Sequence, residues 1–450
     1  MGCDRRKRFL LTKKDSTLNT FNSFRKSILI QFVFFVGLFR SLILRPIRGA
    51  NCPSDWLTPT GPCDYYSVIQ ELILWLIPLF LMILEIVWDR SIKGFIQVCR
   101  SNWLVIGFFM LAAFSLLWSI NPLITAYKVI ILVFSSLLAI YIGSAYRLET
   151  IVKNLSLFLA AVIILSFISS IFFPQYGVMS APFYKGAWSG IFWHRNYLGC
   201  FMALAVALSL SRLPGSIKER SGSIYFNIII LVSASYLLLK SKSATGIITA
   251  LVLVFLVIVF FAWEKWQHKL ARRHYLGLAG IFIVIGLIIL TNLDFVFGLL
   301  GRNTTLTGRM EMWEYLFQHL IILHPWLGFG YGAIWHYQGI RNTLALTLHW
   351  DSAVMIGDNG FVDILLHLGI VGTIVLLILI VKGFIHAIRY LLKERTLESA
   401  FPFIVLVFGM VANISLSLIL ESETFVWITA IALIVAVKQV QIKKIRLQDQ

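Results

Sequence analysis

Apolar runs long enough to cross a bilayer recur along almost the whole chain, at about 28–44, 67–88, 103–120, 124–145, 151–173, 195–211, 224–239, 243–263, 275–292, 359–381, 401–420 and 423–437. With 59% of 450 residues hydrophobic and 13% charged, this exceeds what the core of a water-soluble domain requires. The pattern predicts an all-α polytopic membrane protein of about twelve transmembrane helices. A formal charge of +18 could suggest a nucleic-acid partner. That reading needs a basic face on a soluble domain, whereas these charges fall in short loops between spans, so no nucleic acid is expected.

The order of the charges gives an orientation. Tail 1–27, the loops at about 89–102, 146–153, 212–223, 264–274 and 382–400, and the C-terminal tail hold most of the 39 basic residues. By the positive-inside rule that side is cytoplasmic, with both termini in it. The expected organisation is a basic tail 1–27, helices one to nine over 28–292, an external loop 293–357, helices ten to twelve over 358–437 and a tail 438–450. Met1-Gly2-Cys3 opens like a myristoylation site, but Arg6 stands where Ser or Thr is expected. The basic tail reads as a topology signal. Cys52 and Cys63 share the first external loop, where an oxidising compartment would allow them to pair.

The loop 293–357 is far longer than a hairpin connection, and loops of that length usually carry function. Within it, Trp313, Leu316, Phe317, Leu320 and Ile321 recur at helical spacing after Thr307 as N-cap, which predicts an amphipathic helix against the membrane surface. His324-Pro325 ends it. Gly328, Gly330 and Gly332 then supply a turn whose backbone could approach a ligand closely.

Basic residues outside the cytoplasmic set are Arg40, Arg45, Arg48, Lys128, Lys185, Arg195, Lys240, Lys242, Arg302, Arg309 and Arg341. Topology disfavours them there, and an anionic ligand at the outer face would explain some. In Trp193-His194-Arg195-Asn196 the arginine stands at a helix start beside backbone N–H groups, a geometry that suits an anion; a snorkelling Arg beside an interfacial Trp is the alternative. Lys240 and Lys242 flank a tight turn and could likewise be snorkelling helix ends. Arg309, with Arg302 before it, again puts a cation at a helix start, where the dipole repels it unless an anion lies between. Guanidinium suits bidentate phosphate contacts. Asp358, before Asn359-Gly360, reads either as an N-cap or as a general base facing separated cations. Asp363, Glu71, Glu421 and Glu423 are acids at membrane depth or its edge, and His349 and Asp351 complete the candidates. No His/Cys/Asp spacing signals a metal site, and no Walker-type phosphate loop is present.

Five stretches in order, GIFWHRNYLG (190–199), SKSATG (241–246), LTGRMEMW (306–313), HPWLGFGYG (324–332) and DNGFVDILLHLGIVG (358–372), resemble the O-antigen ligase and O-antigen polymerase superfamily, and within it most closely polymerases of exopolysaccharide repeat units. The resemblance implies an inner-membrane glycosyltransferase that takes a glycan from a polyprenyl diphosphate carrier without metal or other cofactor. It implies that Arg195 and Arg309 bind the donor diphosphate. Lys242 and Arg302 are further candidates for that role, with His194, Asn196 and Asn359 in support. Asp358 stands where the ligase branch carries a His that is proposed to activate the acceptor, so Asp358, His349 or another external acid is the candidate base. The partners would be the lipid-linked donor, a glycan acceptor, the bilayer, and a chain-length regulator and export proteins. A ligase acting on a lipid or protein acceptor is one alternative; a transporter or flippase of an anionic solute is another.

Overall fold

A computed structural model describes residues 28–36, 62–88, 91–180, 184–218, 220, 222–266, 309–348, 357–419 and 424–448. The N-terminal tail, span 275–292, residues 293–308 with Arg302 and Thr307, and 349–356 with His349 and Asp351 lie outside it. So do Arg40, Arg45, Arg48, Cys52, Glu421, Glu423 and the side chains of Cys63 and Glu71.

The described residues form a helical body. Its main elements are α1 (Pro62–Trp88), α2 (Ile92–Ser101), α3 (Trp103–Phe114), α4 (Pro122–Ala145), α5 (Leu148–Phe172), α6 (Arg195–Lys218), α7 (Ser223–Lys240), α8 (Ala244–Trp266), α9 (Arg309–Tyr315), α10 (Gln338–Thr347), α11 (Gly360–Glu394), α12 (Phe401–Asn413) and α13 (Thr424–Gln448). Six of them, α4 to α8 and α11, are long and apolar enough to cross a membrane, and α1 with α2 adds a pair bent by 118°. This is an all-α polytopic membrane protein.

Small residues let the helices close up. A Cβ on Gly246 of α8 would lie 2.6 Å from the Gly199 backbone of α6, and one on Gly143 of α4 would meet the α13 backbone at Ala432. In an apolar solvent such contact, rather than hydrophobic exclusion, holds spans together. Contacts also fix which helix ends lie together. Arg212 Nη1 donates to Ser156 Oγ at 2.8 Å, Leu397 N to Glu264 Oε2 at 3.2 Å, and Gly215 abuts Glu398. Arg147, Lys218, Lys265 and Arg395 belong to this end of the body; the family-like motifs lie at the other.

Two expected elements change shape. Span 401–420 ends as a helix at Asn413, because the Asn413 side chain takes the backbone N–H of Leu418 (3.1 Å) and Ile419 (3.2 Å) and turns the chain back. The amphipathic helix is a short α9 that passes into a π turn, Leu316–Ile321. Met312, Leu316 and Leu320 do not face the membrane. They pack with Phe329, Trp335, Val362 and Leu366 into a second, smaller core, while Phe317, Ile322 and Leu323 stay exposed.

The loop that follows docks into a break in α11. At Gly369 (φ 62°, ψ −161°) the helix is interrupted, which frees two carbonyls and two N–H groups. Residues of the HPWLGFG stretch take all four: Phe329 N donates to Leu366 O (2.8 Å), Gly330 N to His367 O (3.1 Å), Ile370 N to Pro325 O (2.8 Å) and Val371 N to Trp326 O (3.2 Å). Backbone groups left open at membrane depth would cost several kcal/mol each, roughly, so break and loop require one another. Gly328, Gly330 and Gly332, all at positive φ, approach the His367 backbone, Ser119 and the Lys128 stem. These glycines thus make their close approaches to the protein's own backbone and side chains.

Candidate functional site

Four of the five motifs meet directly at one end of the body, and the fifth holds them in place through α11. Arg195 begins α6 and is 2% exposed; its Nη1 donates to the Lys242 carbonyl, and its guanidinium lies 4.6 Å from the centre of the Tyr184 ring. Asn196 Oδ1 accepts from Ser243 Oγ at 2.9 Å, and the same Ser243 Oγ accepts from Gly246 N at 3.0 Å. The WHRN and SKSATG stretches thus build one corner.

Two of the backbone N–H groups expected to be open at the start of α6 are engaged. His194 takes Asn196 N on Nδ1 (3.3 Å) and Tyr197 N on its carbonyl (3.1 Å). His194 is a capping residue. The two lysines of the turn separate in role: Lys240 lies over Trp188 and Tyr236 at 5.8 and 5.5 Å, a cation–π arrangement, while Lys242 is exposed.

Arg309 begins α9, and Asp358 is the anion that offsets the helix dipole there. Its Nη2 and Nε reach Asp358 Oδ2 at 2.9 and 3.1 Å, and its Nη1 donates to Ser415 O at 3.1 Å. The side chains are 13% and 29% exposed, so the pair is reachable. Asp358 is not the N-cap of α11; Asn359 is, its Oδ1 accepting from Phe361 N (3.0 Å) and Val362 N (3.3 Å). Asp358 sits just outside that cap at φ 48°.

Asp363 is consumed by structure. It is 1% exposed; Oδ1 accepts from Trp335 Nε1 (2.8 Å) and Gly357 N (3.2 Å), and Oδ2 from Ser417 Oγ. Gly357 O in turn accepts from Trp313 Nε1 at 2.7 Å. The acid at membrane depth therefore fixes the turn that presents Asp358. Lys128 and Arg341 are buried in the body, away from solvent.

The two corners are joined through a hydroxyl pair, Ser415 Oγ to Thr245 Oγ1 at 2.9 Å. Thr245 belongs to SKSATG, and the carbonyl of Ser415 is the one that Arg309 holds. Sequence reasoning missed Tyr184, Trp335, Ser415 and Ser417, and met Thr245 only as a letter of SKSATG. The signal for the serines was present: Asn413, Ser415 and Ser417 put polar groups at alternate positions in a run otherwise read as a span.

A broken helix, a docked loop, a buried Arg195 and the Arg309–Asp358 ion pair define a membrane protein with a polar site at one end. Residues 229–377 match the family described as Wzy_C: O-Antigen ligase. The match takes in four of the five motifs; the Arg195 stretch precedes it. The chain is also 26% identical over 167 residues to "Exopolysaccharide production protein ExoQ" of Rhizobium meliloti (strain 1021), an alignment covering 36% of this chain and 38% of that protein. The chain thus spans well under half the length of that relative. Both findings support the resemblance to the O-antigen ligase and polymerase superfamily.

Proposed function

We propose that the protein is a membrane glycosyltransferase that polymerises polyprenyl-diphosphate-linked oligosaccharide units on the outer face of the cytoplasmic membrane. The observation that carries this reading is the joining of the Arg195/Lys242 corner to the Arg309/Asp358 corner through Thr245 and Ser415. Transfer breaks the bond between the anomeric carbon and the diphosphate oxygen and forms one to the acceptor hydroxyl. Negative charge grows on the leaving diphosphate, and cations already fixed in place stabilise it without reorganising. The acceptor hydroxyl gives up a proton. Asp358 has one oxygen engaged by Arg309, and Oδ1 makes no hydrogen bond among the described residues, which suits it to receive that proton.

Polymerisation is favoured over ligation by the carboxylate at position 358, where the ligase branch carries a His, and by the exopolysaccharide production named for the relative. The loop 293–357 and both termini follow from the charge order: external loop, cytoplasmic ends. A transporter would also explain a broken helix, but the groups freed in α11 are taken by residues 325–330 rather than left for an ion. Arg309→Ala is expected to abolish polymer in cells while lipid-linked single units and protein level persist. Polymer of normal length in both Arg309→Ala and Arg195→Ala cells would refute the reading. Identifying the acceptor of labelled glycan separates polymerase from ligase.

A further inference from the structure

The end of the body away from the family-like motifs sorts its charges. Its carboxylates gather around Tyr390, on which Glu394, Glu149 and Glu398 all act. A second group holds cations alone. The positive charges of Lys438, Arg389 and Lys382 act on His386, and that of Lys382 acts on Lys438; no carboxylate is among the charges felt by either residue. The group is assembled from α11 and α13, tied where His386 O accepts from Gln441 Nε2 at 3.2 Å. Lys382 and Arg389 are exposed on α11 and form neither hydrogen bond nor ion pair among the described residues. Membrane topology accounts for basic residues at this end, but not for their separation from the acids. Like charges held together and unpaired destabilise a compact body unless an anion joins them.

The same group lies at a fixed depth. α2 has ten residues, none of them buried, and its axis is bent by 118° from that of α1. Phe95, Val98 and Cys99 pack against the body, Ile92 and Ile96 are exposed, and the polar Lys93, Gln97 and Arg100 recur at helical spacing on another, exposed side. Such a helix, too short to cross a bilayer, lies in the membrane interface. Lys438 Nζ donates to Ser101 O at the end of α2 and reaches Asn102 Oδ1 at 3.5 Å. Lys382 Nζ sits 5.1 Å from the ring centre of Trp103, the first residue of α3, which is 61% exposed. Tryptophan too favours the interface. Cations and apolar surface therefore meet at headgroup depth, with Val381 and Ile385 exposed on either side of Lys382 along α11.

We propose that Lys382, Arg389 and Lys438, with Trp103, form a headgroup site for an anionic phospholipid of the leaflet at this end of the protein. The chemistry recognised is a phosphate oxyanion, drawn to a basic pocket between helices. Lys438 is partly spent, because it also completes the C-terminus of α2, where a cation suits the helix dipole. Lys382 and Arg389 supply the uncommitted charge. The occupant is a lipid rather than dissolved phosphate because exposed Trp103, Val381 and Ile385 give acyl chains a surface next to the cations. The site lies at the opposite end from Arg195 and Arg309 and is independent of what they bind.

The test uses the purified full-length protein in a neutral detergent, its melting followed as phosphatidylglycerol, phosphatidylcholine or inorganic phosphate is added. Phosphatidylglycerol should raise the melting temperature with an apparent affinity about tenfold or more above that of phosphatidylcholine. Lys382→Gln combined with Arg389→Gln should weaken that affinity about tenfold or more. Lys218→Gln combined with Lys265→Gln removes as much charge from exposed residues of the same end, and should change it less than about twofold. Without lipid the first double variant should melt no lower than wild type, since like charges have been removed. Equal stabilisation by both lipids, or an equal loss of affinity in the two double variants, would overturn the site. Inorganic phosphate that stabilises as strongly at the same concentration would make it a site for a free anion and overturn the lipid assignment. A first double variant that melts below wild type without lipid would make Lys382 and Arg389 structural residues, which overturns it as well.

Discussion

Replacing Gly369 with alanine tests whether the broken helix and its docked loop are one unit. The added Cβ would lie 2.3 Å from Trp326 C, 2.4 Å from its carbonyl oxygen and 2.5 Å from Leu327 N, all backbone atoms that cannot swing aside. The backbone itself, at φ 62° and ψ −161°, occupies a region that is essentially glycine-only, so a side chain adds about 1–3 kcal/mol of strain. Relieving the clash moves residues 325–327 away from α11. The bonds Ile370 N to Pro325 O and Val371 N to Trp326 O then open, at about 1 kcal/mol each and more where no water replaces them. The sum, about 3–5 kcal/mol, is a large fraction of the stability of a folded domain. In detergent, the fraction remaining monodisperse after heating should fall at a temperature lower by about 5 °C or more. Transfer activity should fall with it, since the loop carries Trp335, which holds Asp363. Gly94→Ala is the control: nothing lies within 4 Å of its Cβ in α2, and it should melt at or slightly above wild type. Equal melting and equal activity of Gly369→Ala and Gly94→Ala would refute the coupling of loop and break.

Asp358→Asn should reduce transfer about 100-fold or more while shifting stability by less than about 1 kcal/mol, because the ion pair is partly exposed; a parallel loss of both, read by kinetics and melting, would make Asp358 a structural residue. Asp363→Asn should instead destabilise by about 1–3 kcal/mol, since one amide oxygen replaces two carboxylate oxygens serving Trp335, Gly357 and Ser417; unchanged melting would contradict that account. Gly246→Ala forces α8 away from the Gly199 backbone of α6 and should cost about 1–3 kcal/mol, visible as earlier thermal aggregation; a stabilised variant would show that the helices can part freely.

Much of the body was legible because long apolar runs and charged loops report directly on the bilayer. The starts of α6 at Arg195 and of α11 at Gly360 follow from such boundaries. Local pattern could not show where a run stops being helical for tertiary reasons. Asn413 turns α12 back inside an apolar stretch, and Gly369 breaks α11 only because residues 325–330 arrive from elsewhere to satisfy it. In the candidate site, residue type pointed to Arg195, Lys242, Arg309 and Asp358, but not to which are buried or which pair. Asn359 rather than Asp358 holds the capping role because a shift of one residue decides which side-chain oxygen reaches Phe361 N, and a string of letters carries no such distance.

The proposed function makes the Arg195/Lys242 and Arg309/Asp358 corners, joined through Thr245 and Ser415, one site for a lipid-linked diphosphate donor. Its most direct measurement is glycosyl transfer by the purified protein from a polyprenyl-diphosphate-linked oligosaccharide to a second such unit, with released polyprenyl diphosphate quantified alongside glycan length. The account predicts longer glycan with one carrier diphosphate released per linkage in wild type, and a loss of about 100-fold or more in Arg309→Ala. Wild-type protein that lengthens no glycan yet moves the intact donor across a liposome membrane would contradict it.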